Sequence, residues 1–297
     1  MSRIEWPTLG VAILCYGHWA VALFLVAGWS PVLAVAMLTL AVTLHSSLQH
    51  EVLHGHPFAA QWASVALVFP ALGLVIPYGR FRDLHLAHHR DEFLTDPYDD
   101  PETAYLDPVI WARLPRGLRL ILNANNTLFG RIILGPVISQ IVFMAADWRL
   151  IRAGDRAVAR DWVLHGLGVI PVVALVIWSP LPFWAYAIAA YLGNGILRIR
   201  TFLEHRAHEK ARARSVVIED RGMLAFLFLN NNFHAVHHAH PQLPWYALPG
   251  RYFSDRDKYL ARNGAYMYRS YGQIFRLFAL RRKEPVPHPL YPEKPLP

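Results

Sequence analysis

Val32-Leu33-Ala34-Val35-Ala36-Met37-Leu38-Thr39-Leu40-Ala41-Val42-Thr43-Leu44-His45-Ser46-Ser47-Leu48-Gln49-His50-Glu51-Val52-Leu53-His54 is the stretch that decides the fold. It runs from an uncharged apolar segment straight into two histidines four residues apart. Upstream, Trp29-Ser30-Pro31 joins it to a second apolar run, Leu9 to Gly28. The arrangement recurs later: Trp162 to Trp178 and Pro182 to Ile199 flank Ser179-Pro180-Leu181. Tryptophan is enriched at membrane interfaces and proline starts or ends a helix. Each run is close to the ~20 apolar residues that a bilayer requires. The expectation is an all-α integral membrane protein with four transmembrane helices in two hairpins.

Composition agrees. The chain has 297 residues, 54% of them hydrophobic and 17% charged, which excludes an ordinary soluble enzyme. Its one cysteine, Cys15, permits no internal disulfide, thiolate metal site or iron–sulfur cluster. The apolar run after Trp6 is too long for a signal peptide and lacks a cleavage motif, so it reads as a retained first span. The formal charge of +8 does not imply a nucleic acid partner, because the basic residues form no stripe or helix face. Apart from Arg3, every Lys and Arg falls in 80–160 or 198–297, and neither hairpin tip carries one. By the positive-inside rule those segments, and both termini, are expected on the cytoplasmic side of a multi-pass protein.

Two further apolar stretches are interrupted. Ala60 to Ile76 holds Pro70 and Gly73, and Phe129 to Ala146 holds Arg131, Pro136 and Gln140. If the histidine clusters meet at one place, they share one membrane face, so neither stretch can be a single extra crossing. Both are expected to be interfacial or re-entrant, beneath a cytoplasmic helical cap. Residues after Gly250 read as short amphipathic helices. Residues 1–284 are expected to form a single domain, with 285–297 a proline-rich tail without a fold of its own.

The chemistry lies in three clusters: His50 and His54; His85, His88 and His89; His234, His237 and His238. Positions i, i+3 and i+4 share a helix face, so each cluster can aim its rings at one point. Eight imidazoles exceed the needs of one tetrahedral zinc and suit two metals. The stretch ending the fourth span offers a ninth ligand, with His205 preferred to His208. No carboxylate cluster of the ferritin-like kind accompanies them.

H-x3-H followed by two H-x2-HH boxes, spaced around two hairpins, resembles the membrane fatty acid desaturase and hydroxylase superfamily. The resemblance covers roughly residues 9–250. Thr95-Asp96-Pro97 after the second box, and His240-Pro241, Pro244-Trp245-Tyr246 and Leu248-Pro249 after the third, extend it. It implies two iron ions held by the box histidines, O2 as co-substrate and electrons from an external donor. The implied reaction is insertion of a double bond into a fatty acyl chain, or hydroxylation or ketolation of a lipid or carotenoid. No His-Pro-Gly-Gly stretch marks a built-in cytochrome, so a separate ferredoxin or cytochrome b5-type partner is implied. Zinc has no redox chemistry, whereas iron with nitrogen ligands can oxidise an unactivated C–H bond. Glu51, Asp96, Glu204 and Asn231 are the candidates for orienting the ligands.

Two other readings compete. His50-Glu51-Val52-Leu53-His54 fits the H-E-x-x-H of a zinc protease, with Glu51 as base, but leaves the other boxes without a purpose. A metal transporter would carry ligands nearer the bilayer midplane. His18, His45 and His165 lie in spans and read as hydrogen-bonded between helices, and His56, His240 and His288 as loop residues.

Overall fold

The computed structural model describes residues 4–291, which form two compact units with almost no strand. The first unit comprises Met1–Arg82, Pro136–Leu197 and Leu227–Leu229. It contains α1 (Trp6–Val26), α2 (Pro31–Leu53), α3 (Gln61–Leu67), α8 (Gly135–Arg152), α9 (Arg156–Trp178) and most of α10 (Phe183–Thr201). Helices α1, α2 and α9 are long and apolar enough to cross a membrane. The expected fourth span, α10, is not among them. Asn194, Arg198 and Arg200 in its second half lower its hydropathy.

Local signals set the helix ends. Ser30 caps α2, its Oγ accepting from Leu33 N at 3.3 Å, and Pro31 occupies the first turn, where no donor is needed. Asp155 caps α9 by accepting from Ala157 N and Val158 N, just after Gly154 (φ +93°) has reversed the chain from α8. Helix α3 spans seven residues, too few to cross a bilayer.

The core of this unit joins α1, α2, α9 and α10 through Trp19, Leu23, Leu38, Val42, Val172, Val176 and Tyr186. Small residues permit close packing. A Cβ on Gly193 of α10 would stand 2.7 Å from Val42 Cγ1, and one on Gly168 of α9 2.4 Å from the Phe69 carbonyl oxygen. Buried polar groups are paired: Tyr186 OH donates to Leu72 O and accepts from Trp19 Nε1, both at 3.0 Å. Arg80 forks onto Asp147, which also accepts from Trp162 Nε1. The span histidines bond to other elements, His18 to Met37 O, His45 to Tyr16 OH and His165 to Leu74 O.

The second unit comprises Asp83–Gly135, Arg198–Phe226 and Asn230–Pro297. It holds the end of α4 (Tyr78–His88), then α5 (Pro108–Arg113), α6 (Arg116–Asn125) and α7 (Leu128–Ile133). After α10 come α11 (Met223–Leu227), α12 (His234–Ala239), α13 (Leu248–Ser254), α14 (Arg256–Arg262) and α15 (Tyr271–Phe278). Strands β1 (Val217–Ile218) and β2 (Met267–Tyr268) pair in parallel, Val217 opposite Met267. Val217, Phe233, Val236, Leu248, Tyr252 and Tyr259 form its core.

Part of the proline-rich stretch pairs with residue 106. Leu106 N donates to Val286 O at 3.0 Å and His288 N to Leu106 O at 2.8 Å, and Val286 and His288 are buried. Backbone pairing with residue 106 orders a segment whose own sequence offers no periodicity. Residues 292–297 of the expected tail lie outside the described residues.

Candidate metal centre

His50 and His54 sit in the last turn and at the C-cap of α2, in the first unit, with ring centroids 4.9 Å apart. Glu51 beside them is buried, its Oε2 3.9 Å from His56 Nε2. His56 also pairs with Glu5 at 2.8 Å, so this expected loop residue is a buried, bonded one.

The second unit brings the other seven candidate ligands together in two sets. In one, His88, His205, His234 and His238 have their donor atoms within 4.8 Å of one another. His205 Nε2 lies 2.9 Å from His88 Nε2 and 3.0 Å from His234 Nε2, and His238 Nε2 is 3.1 Å from His234 Nε2. In the other set, His89 Nε2 lies 2.9 Å from His85 Nε2 and 3.1 Å from His237 Nε2. His208 points elsewhere, its Nδ1 accepting from Lys210 N.

The opposite ring nitrogens are occupied. His85 Nδ1 bonds Glu102 at 3.0 Å, His88 Nδ1 bonds Asp100 at 2.7 Å, and His234 Nδ1 bonds Asn231 Oδ1 at 3.1 Å. An Nδ1–H held by an acceptor leaves the Nε2 lone pair facing inward, the arrangement of a metal-bound imidazole. Ser215 Oγ lies 3.2 Å from His205 Nδ1, and Lys283 Nζ donates to the His205 carbonyl oxygen. Burial pushes the Lys283 ammonium down to about 8.

Helical spacing supplies each set. His85 and His89 are one turn apart, as are His234 and His238. The asparagine run before α12 fixes its approach. Asn230 adopts φ +54°, a region asparagine tolerates, and Asn232 Nδ2 donates to Ile218 O and Asp220 O. Ala235 N then donates to Val216 O, seating α12 beside β1. Glu204 gathers Arg200 Nε at 2.9 Å and Asn231 Nδ2 at 3.3 Å, tying the end of α10 to the third box.

Electrostatics separates the rings. Burial, then the facing imidazoles, hold His205 and His234 well below the usual histidine range. Burial opposes charge on His88 as well, but Glu102 and Asp100 outweigh it and push that ring up to about 9. Without a metal, then, a proton on His88 relieves part of the crowding among inward lone pairs. A divalent cation relieves all of it. The inward nitrogens of each set lie within 4.8 Å of one another, so the residues fit a metal ion held by imidazole nitrogens.

Of the four residues expected to orient ligands, Glu204 and Asn231 contact the third-box network. Asp96 instead caps its own turn, accepting from Tyr98 N and Asp99 N. Asp100 and Glu102, rather than Asp96, bond the second-box Nδ1 atoms. Their only sequence signal is the acidic run Asp99-Asp100-Pro101-Glu102 shortly after the second box.

Membrane-length apolar helices together with converging imidazoles that could hold metal ions define a helical membrane protein with a candidate metal centre. The fatty acid desaturase family model matches residues 27–270, and the chain belongs to that family. Membership implies an oxidoreductase of the membrane desaturase and hydroxylase type, with a lipid acyl substrate. No curated protein matched the sequence.

Proposed function

We propose that this chain is an O2-dependent di-iron membrane oxidase that introduces a double bond into a fatty acyl chain of a lipid. The observation that carries the reading is the convergence of seven Nε2 atoms in two sets, backed by Glu102, Asp100 and Asn231 on their Nδ1 atoms. His50 and His54 complete the nine ligands, with His85, His88, His89, His205, His234, His237 and His238. When bound, two iron ions supply O2 activation and C–H oxidation, using two electrons from a ferredoxin or cytochrome b5-type donor.

The protein's own groups do the remainder. Asp100 and Glu102 keep the Nδ1 protons of His88 and His85 in place, so that both rings present lone pairs inward. Arg200 neutralises Glu204, which holds Asn231 against His234. Helix α10 serves as the fourth span, and residues 1–284 act as one domain with the metal centre and both termini cytoplasmic. The zinc-protease reading of His50-Glu51-Val52-Leu53-His54 leaves the seven imidazoles of the second unit unexplained.

Lipid profiling of a host expressing the chain, with a His89→Ala control, tests the reading. A new double bond absent from the control supports it. A new hydroxyl or keto group would replace desaturation by hydroxylation or ketolation, and unchanged lipids would refute the oxidase assignment.

A further inference from the structure

His205 is the candidate ligand of the second unit that no helix carries. His85 and His88 lie in α4, and His89 extends its last turn, its N donating to His85 O at 3.1 Å. His234, His237 and His238 lie in α12. His205 stands beyond the end of α10, in a stretch without helix. Its position must come from whatever holds its backbone. One side is held by an antiparallel bridge to Ser215, flanked by Arg206 N to Arg214 O at 2.9 Å and Val216 N to Glu204 O at 3.0 Å. In a bridge flanked in this way, the bridged residue's own N–H and C=O point away from the partner strand. The His205 carbonyl therefore needs a donor from the opposite side, because an unpaired carbonyl inside a protein is costly.

That donor is Lys283, whose Nζ bonds the His205 carbonyl oxygen and whose side chain is only 11% exposed. It arrives on the segment after α15. Lys283 N donates to Asn126 O at 3.3 Å and Asn126 Nδ2 to the Glu284 carbonyl oxygen at 2.5 Å, which fixes the start of the segment. Pro285 and Pro287 then set an extended backbone with little conformational freedom left to lose. His288 ends the run, its N bonded to Leu106 O and its Nε2 3.2 Å from Thr95 Oγ1. Residues 283–288 are thus a strap laid across the loop after the second box. The Glu284 carboxylate accepts from Tyr105 OH, and the same hydroxyl accepts from Ala207 N at 2.9 Å. Two strap contacts converge on residues 205–207, one direct and one through Tyr105.

We propose that Lys283 is a positioning residue for the metal centre, through which the strap holds His205 with its Nε2 facing His88 and His234. This role rests on the di-iron reading above and deepens it. His88, His234 and His238 keep their places on α4 and α12 without the strap, and so do His85, His89 and His237 of the other set. Loosening the strap therefore weakens the metal position that His205 shares and spares the other. The alternating prolines gain a purpose on this account: a segment already extended delivers one ammonium to one carbonyl.

The test uses the full chain in nanodiscs as wild type, K283M, K283R, Y105F and R281M, the last removing an exposed cation just before the strap. K283Q takes the place of K283M if that variant fails to fold. Amide hydrogen exchange of the metal-free protein is read at residues 205–207 and, as an internal reference, over α12. The expected result is exchange roughly tenfold faster at 205–207 in K283M and Y105F, with α12 unchanged. R281M should match wild type, and K283R, which keeps a cationic donor, should recover most of the protection. The same samples are then loaded anaerobically with ferrous iron and challenged with a chelator. K283M should release one iron roughly tenfold faster than wild type and the second at the wild-type rate. Wild-type exchange at 205–207 in K283M, an equal rise over α12, or unchanged release of both irons overturns the proposal. The exchange readout needs no metal, so a wild type that takes up no iron overturns the di-iron reading while exchange decides the strap.

Discussion

Replacing Asp100 with Asn tests the orienting role of the carboxylates most sharply. Asp100 is buried, and its carboxylate accepts from His88 Nδ1 at 2.7 Å, Thr95 N at 2.8 Å and Glu102 N at 2.9 Å. Asparagine keeps the size and one acceptor oxygen but removes the charge. His88 Nδ1 and Glu102 N share Oδ1 while Thr95 N binds Oδ2, so the asparagine NH2 must face a donor on one side and the His88 bond is lost or becomes neutral. A charge-assisted hydrogen bond contributes about 1.5–3 kcal/mol, and loss of such a partner behind a metal-bound histidine lowers metal affinity roughly 10–100-fold. The assay is iron retention by the purified protein against a graded chelator, with thermal unfolding recorded in parallel. Asp96→Asn is the matched control, since the Asp96 carboxylate accepts from Tyr98 N and Asp99 N of its own turn. Equal iron retention by Asp100→Asn and wild type would refute the argument, as would equal losses in the two variants.

The other predictions concern the ligand choice, the packing and the acid response. His205→Ala should lose iron while His208→Ala keeps it, as read by metal analysis, because only His205 faces the other imidazoles. Gly168→Ala should destabilise the protein by about 1–3 kcal/mol in detergent melts, since its Cβ would meet the Phe69 carbonyl oxygen, while Gly166→Ala, in open space, should be neutral. Burial opposes the charge of Glu219, but Arg256 and Tyr252 outweigh it and hold its carboxyl below the usual range. Its stabilisation is therefore full above the unfolded value of 4.5 and fades as pH falls through the lower folded value. Melting temperatures below pH 4.5 should fall less steeply in Glu219→Gln, and parallel curves would contradict the assignment.

Much of this was legible in the sequence because it has a period. Box histidines three and four apart share a helix face whatever surrounds them, and the second unit gathers six of them together with His205. The apolar runs announced α1, α2 and α9 by length alone. Helix α10 was harder to read, since its apolar half runs into Asn194, Arg198 and Arg200. Asp100 and Glu102 carry no periodic signal, and their value arises only when the turn after α4 folds back onto His88 and His85. The same holds for the segment at Val286, paired through an isolated bridge to Leu106 that no local pattern reveals.

The central claim is that the imidazoles hold two redox metals. Metal analysis of the purified full-length chain tests it most directly: the account predicts two irons per chain, and one zinc with no iron would contradict it.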